Sequence, residues 1–184
     1  VSSASNVSAN STQLDTGTMV YQASYIAGAW TGELKAFAIS GQGIGATPKW
    51  LASEKIPAHD SRRIYSRSDQ NGNGIEFRWN ALTDAQKTAL GSEDVLLYLR
   101  GDRSKERSQP GGVYRTRPGL LGDIVNSSPA YSADSNTLFI GANDGMLHAF
   151  DASTGVEKFA YIPGSLIGAL KTLSEPHYNH RYFV

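Results

Sequence analysis

The chain has 184 residues, of which 40% are hydrophobic, enough to build a packed core and too many for wholesale disorder. Seventeen Lys and Arg residues balance seventeen Asp and Glu residues, so no net field draws the chain to nucleic acid or to an anionic membrane surface. Cysteine is absent, which removes disulfides, thiolate metal sites and a cysteine nucleophile, and no run reaches the ~20 apolar residues of a membrane-spanning helix.

Val1 to Thr12 are mostly Ser, Asn and Ala, the composition of a solvated linker, and residues 1–15 are read as a linker from a preceding domain. Residues 16–50 then carry the first copy of an internal repeat. Gly28-Ala29-Trp30-Thr31-Gly32-Glu33-Leu34-Lys35-Ala36-Phe37 aligns without gaps on Gly141-Ala142-Asn143-Asp144-Gly145-Met146-Leu147-His148-Ala149-Phe150, with six of ten positions identical. Apolar residues precede each copy (Tyr25, Ile26; Leu138, Phe139), and a basic-aromatic pair follows it (Lys49-Trp50; Lys158-Phe159).

Each copy reads as strand, turn, strand, turn, strand. Asn143-Asp144-Gly145 and Asp151 to Gly155 supply the residues that tight turns require, and between them Leu147 and Ala149 alternate with His148 and Phe150 in the period of a strand. A single sheet of this kind cannot bury its own faces, so the repeat predicts radially stacked blades of roughly 40–50 residues, with a pair of hairpins in a sandwich as the alternative. The expected fold is mainly β, a partial β-propeller with a helix-containing insertion.

Residues 51–126 form that insertion. Thr83-Asp84-Ala85-Gln86 is a capping box that opens a helix closed by Gly91. Ser92-Glu93-Asp94 opens a second helix, acidic in its first turn, with Gly101 past its end. The Arg-, Ser- and Gly-rich stretch from Asp102 to Arg117 reads as an exposed loop. Residues 127–184 hold the second blade, a short helix from Ser165 to Leu173, and a strand beginning at Arg181 that opens a third blade. Both ends read as cuts through a longer protein.

Two constellations suggest sites. In Asp69-Gln70-Asn71-Gly72-Asn73-Gly74, the side-chain oxygens of Asp69, Asn71 and Asn73 match the opening of a calcium loop, with Gly74 at its sharp turn; Asn80 stands where such loops place a bidentate Glu, and an Asn-Gly turn explains the same residues. Arg100-Gly101-Asp102 spells the tripeptide that integrins recognise, at an expected exposed helix end, or else a glycine C-cap flanked by charges. His177 and His180 lie beside Pro176 in strand-like sequence and are read as structural. No nucleophile elbow, phosphate loop or paired acid and base stands out, and no enzyme is expected.

The run from Leu121-Gly122-Asp123-Ile124-Val125-Asn126 through Ser127-Ser128-Pro129-Ala130-Tyr131, followed by the Gly141 to Asp151 blade, resembles the propeller domain of PilY/PilC-type type IV pilus proteins. Trp30 to Phe37 and His180 to Val184 share in the resemblance. It implies a secreted module at the bacterial cell surface or outer membrane, active in pilus assembly, adhesion and twitching motility. Its implied partners are pilin-like subunits and a host-cell receptor or abiotic surface. Calcium is a family trait, and Asp69, Asn71 and Asn73 match the family's loop in part. The run from Gly145 to Gly155 is also similar to quinoprotein blades, those of pyrroloquinoline quinone-dependent dehydrogenases and of outer-membrane assembly scaffolds, which keeps both as alternatives. Many such dehydrogenases carry a vicinal cysteine pair that this chain lacks.

Overall fold

The computed structural model describes residues 2–9 and 18–183. Two antiparallel meanders dominate it. The first contains β1 (Ser2–Ala9), β2 (Met19–Ile26), β3 (Thr31–Ser40), β4 (Gly43–Ile44) and β5 (Trp50–Leu51), with β2 between β1 and β3, and β3 also pairing with β4 and β5. The next segment supplies β6 (Ile64–Arg67), β7 (Gly74–Glu76), α1 (Asp84–Leu90) and α2 (Glu93–Arg100). The second meander is β8 (Ala130–Ser132), β9 (Thr137–Ala142), β10 (Met146–Asp151) and β11 (Glu157–Tyr161). β6 joins β11 in parallel, so the second sheet runs β7-β6-β11-β10-β9-β8, and the insertion lends it two strands.

The helix signals in the sequence act as written. Thr83 accepts from the Gln86 amide while the Gln86 side chain accepts from the Thr83 amide, and Gly91 closes α1 at φ 98. Ser92 caps α2, whose C-terminal Gly101 adopts the left-handed region at φ 118. Ser165 to Leu173 differs from the expected helix: two 3₁₀ segments, Gly164–Leu166 and Ala169–Ser174, flank Gly168. A side chain at Gly168 would come within 3.1 Å of the Ala89 methyl, so this stretch lies against α1 with its glycine at the contact.

Two further expectations change. Ser2–Ala9, expected as linker, is hydrogen-bonded along β2, because ladder bonds use the backbone and do not require apolar side chains; the rest of that linker lies outside the described residues. Residues 181–183 take no strand, and Phe183 donates its amide to a side chain, Asn143 Oδ1. The stretch from Asp102 to Arg117 is the largely exposed loop expected, anchored at Glu106, which is buried between Arg103 and Arg117, with the Arg117 guanidinium 3.7 Å from the centre of the Tyr98 ring.

The two meanders pack through one apolar layer. Tyr21, Ala23, Leu34 and Ala36 of the first meet Leu138, Ile140, Ala142 and Phe150 of the second, all of them buried. Each large side chain there contributes roughly 1.5–3 kcal/mol. Small alanines let the sheets approach, and Trp50 crosses the layer to donate from Nε1 to Ala152 O at 3.2 Å. Leu34 and Ala36 align with Leu147 and Ala149, yet the second sheet presents the face carrying Phe150, while Leu147 lies on the opposite side and is 36% exposed. The sheets therefore stack front to back, each using a different face of the same repeat. A second core joins Ile64, Phe77, Leu90, Leu96 and Leu99 of the insertion to Met146, Ala160 and Ile162.

Register separates the copies at their turns. In the second, Ala142 pairs with Met146 around Asn143-Asp144-Gly145, whereas in the first, Ile26 pairs with Thr31 around a turn at residues 27–30. Gly32, the counterpart of turn residue Gly145, is thereby a strand residue. A side chain on it would meet the Gly122 carbonyl oxygen at 2.2 Å. Gly32→Ala should therefore lower stability by about 1–3 kcal/mol in urea melts, whereas Gly41→Ala, which points into open space, should leave the midpoint unchanged.

Candidate functional site

The segment from Leu121 to Asp123 enters between the turns of the two meanders and bonds to both. Gly32 donates its amide to Leu121 O at 3.0 Å, and Thr31 forms a bridge with Gly122. On the other side Gly122 donates to Asp144 Oδ2 at 2.8 Å, and Asn143 donates its backbone amide to Asp123 O at 3.0 Å. The Asn143 side chain donates to Asp123 Oδ2 at 2.8 Å, an oxygen that also lies 2.9 Å from His180 Nε2. A side chain at Gly122 would meet the Asp144 amide nitrogen at 2.2 Å, so only glycine admits this approach. The result is a polar clasp at one end of both sheets.

A buried chain of charges continues from it. Asp144 contacts His148 Nε2, and His148 Nδ1 lies 2.8 Å from Glu157 Oε1. Arg62 donates to both Glu157 oxygens at 2.7 Å and from Nη1 to Arg100 O at 2.8 Å, reaching the end of α2. His148 has no exposed surface, and burial alone would discharge it; Asp144 and Glu157 outweigh burial and raise its pKa to about 9. Burial likewise opposes charge on Glu157, and the hydrogen bonds from His148 and Arg62 outweigh it, lowering the pKa to about 2. Asp144 is held below the usual carboxylate range in the same way, against burial, by His148 and the Gly122 amide. Two cations and two anions thus satisfy one another and tie the insertion to the clasp. They join elements, and of the four only Asp144 keeps part of its side chain, 16%, exposed.

The sites suggested by sequence lie elsewhere. Asp69, Asn71 and Asn73 occupy the hairpin turn between β6 and β7. Asp69 Oδ1 accepts from the Thr83 hydroxyl at 2.7 Å, Asn71 Oδ1 accepts from the Asn73 amide at 3.0 Å, and Asn73 O accepts from the Ser68 amide at 2.9 Å. The Arg67 side chain crosses the same turn and donates to Gly72 O at 2.8 Å. These bonds are those of an Asn-Gly turn, the alternative that the sequence offered for the same residues. Arg100, expected at an exposed helix end, is 1% exposed, and its guanidinium donates to the carbonyls of Phe77, His59 and Arg62. Gly101 is the C-cap, and Asp102 accepts from the Ser104 amide and hydroxyl. The tripeptide is therefore not displayed as a unit. His177 is exposed, while His180 enters the clasp.

Asp123, Asp144, His148 and Glu157 carry the clasp and the charge chain; the sequence placed Asp123 in the run shared with pilus proteins, Asp144 in a turn and His148 in a strand, and none of the four was read as a site residue. The signal was a histidine set in a strand between apolar neighbours, with acidic residues four before and nine after it.

No family model matches the chain, and no solved structure matches it. Curated proteins do. The chain is 35% identical over 207 aligned positions to a type IV pilus biogenesis factor PilY1 homolog of Xylella fastidiosa, covering 97% of the chain and 16% of that protein. It is 30% identical to the type IV pilus biogenesis factor PilY1 of Pseudomonas aeruginosa strain PAK, over 84% of the chain and 17% of the relative. The PilY1 of strain UCBPP-PA14 is 29% identical over 89% of the chain and 18% of its own length. The chain thus spans less than a fifth of the length of these relatives.

Three outcomes follow from the geometry. Removing one partner of the buried charge chain, as in Glu157→Gln, should cost about 3–5 kcal/mol in urea melts. His148 has a raised pKa, so its contribution is complete below its ordinary value near 6.5 and fades as pH climbs through about 9; that of Glu157 is complete above 4.5 and fades as pH falls towards 2. Stability measured from pH 6 to 9.5 should accordingly decline, and His148→Gln should flatten that decline. Calorimetric titration of calcium into the chain and its Asp69→Ala variant should give matching traces, whereas heat lost in the variant would make the β6–β7 turn a metal site.

Proposed function

This chain is homologous to a segment of the type IV pilus biogenesis factors named PilY1, and on that premise we propose that it is a non-enzymatic propeller module of a pilus assembly and adhesion protein. The observation that carries the reading is the 35% identity that extends over 97% of the chain and so takes in both meanders and the clasp between them. In this role the module works at the cell surface, with pilin-like subunits and a host-cell or abiotic surface as its partners.

Front-to-back stacking supports the propeller part of the proposal. The face of the second sheet equivalent to the covered Leu34 and Ala36 face carries Phe139, Leu147, Phe159 and Tyr161, with Tyr65 beside them, around small Gly141 and Ala149. Phe159 meets Phe139 and Tyr65 edge-on, with ring centres 6.3 and 6.2 Å apart. A repeat that uses one face to receive its neighbour in the first copy has the means to receive another in the second. A sheet with two apolar faces needs both covered, which is the condition that radial stacking meets. The inward-turned clasp supports a role in assembly, because its polar groups are committed to joining elements.

Deleting the segment that corresponds to residues 18–183 from the full-length protein, in its own cell, should abolish surface pili, twitching and attachment; normal piliation and attachment would overturn the proposal. For the propeller arrangement, Phe159→Glu should destabilise the full-length protein by about 2 kcal/mol or more, because it would bury a carboxylate between blades. An unchanged melting curve would show that this face is not covered.

A further inference from the structure

The segment from Tyr178 to Phe183 pairs with no strand and belongs to no helix, yet it lies across the clasp in a defined position. His180 is its main anchor. The imidazole stacks on the Trp30 indole with ring centres 3.8 Å apart and planes 20° apart, while Nε2 lies 2.9 Å from Asp123 Oδ2. The side chains of His180 and Asp123 are 9% and 2% exposed. Phe183 donates its amide to Asn143 Oδ1 at 3.0 Å, and the Arg115 guanidinium covers the Tyr178 ring at 4.5 Å. Within the segment, Arg181 donates its amide to the Tyr178 hydroxyl at 3.0 Å, which closes it into a small unit. Tyr182 leans edge-on to His180 from the solvent side and is 64% exposed.

The receiving surface has a feature of its own. Trp30 adopts φ 53, a left-handed conformation that side chains other than Gly, Asn and Asp seldom take, and its amide is held by Ile26 O at 3.0 Å. Such a conformation persists where surrounding contacts over-determine it, and the contact that the structure supplies on the indole face is His180. An indole face beside a buried carboxylate is suited to a flat aromatic ring that donates an N–H.

We propose that residues 178–183 form a strap that docks and undocks as one unit, with His180 filling in cis a receptor for imidazole-like rings made by Trp30 and Asp123. Docking joins the first turn (Trp30), the connecting segment (Asp123), the second turn (Asn143) and the insertion (Arg115) at one point. Undocking frees the indole face, removes one of the two side-chain bonds to Asp123 Oδ2 and takes the Phe183 amide from Asn143. One small element thereby sets how firmly the two turns are held together, and it does so without moving either apolar core.

Hydrogen exchange read by mass spectrometry tests this on the full chain. His180→Gly should raise exchange roughly tenfold or more in peptides covering residues 27–32 and 178–183, while those covering 137–151 stay protected. Imidazole added to this variant should restore protection at residues 27–32 and should leave the unsubstituted chain unchanged. Asn179→Ala, an exposed strap position away from the His180 ring, should behave as the unsubstituted chain. Should His180→Gly loosen every peptide, Trp30→Gly decides: it removes the indole and relieves the left-handed strain, and it should raise exchange in 178–183 alone. Unchanged exchange at 27–32 in His180→Gly, imidazole protection equal in both chains, or an unmoved strap in Trp30→Gly would each overturn the proposal.

Discussion

The rest of the structure depends on how closely the backbone at Leu121–Asp123 can approach the turns on either side of it. On one side the limit is the space between Gly32 and the Gly122 carbonyl; on the other it is the space between Gly122 and the Asp144 amide. Neither contact leaves room for a β-carbon. With both glycines in place, one short segment exchanges backbone hydrogen bonds with both meanders and fixes their relative height and angle. The apolar layer supplies most of the free energy that holds the sheets together, but such burial is indifferent to small sliding motions. Directional bonds to the clasp are what select one arrangement.

The buried charge chain adds a second constraint of a different kind. Asp144 belongs at once to the clasp, through Gly122, and to the charge chain, through His148. From there the path runs by Glu157 and Arg62 to the last turn of α2. Desolvating four charged groups is costly, and their mutual attraction offsets this only while all four keep their geometry. Such a network contributes more to specificity than to net stability, since a shifted insertion or a slipped strand would strand a buried charge. It also accounts for a histidine that no solvent reaches.

The homology with PilY1 proteins places these constraints in a type IV pilus biogenesis family. The two meanders stack front to back, so the face of the repeat that is covered in the first sheet is left partly exposed in the second, where Leu147 is 36% exposed.

The sequence alone determined the mainly β character, the two repeats, both α-helices with their caps, and the relation to pilus proteins. These are local or linear properties: a capping box needs four neighbouring residues, and a strand needs only alternation and a turn. The same local logic misled where the outcome depended on distant groups. Arg100 reads as a surface residue at a helix end, but the carbonyls of Phe77, His59 and Arg62 surround it. Only the tertiary structure decided which face of each repeat is covered, where the first turn falls, and that Asp123, His148 and His180 serve the clasp. Most of those outcomes rest on partners far apart in sequence, such as Arg62 and Glu157, Trp50 and Ala152, or Trp30 and His180, and no pattern within a single window encodes which of them will meet.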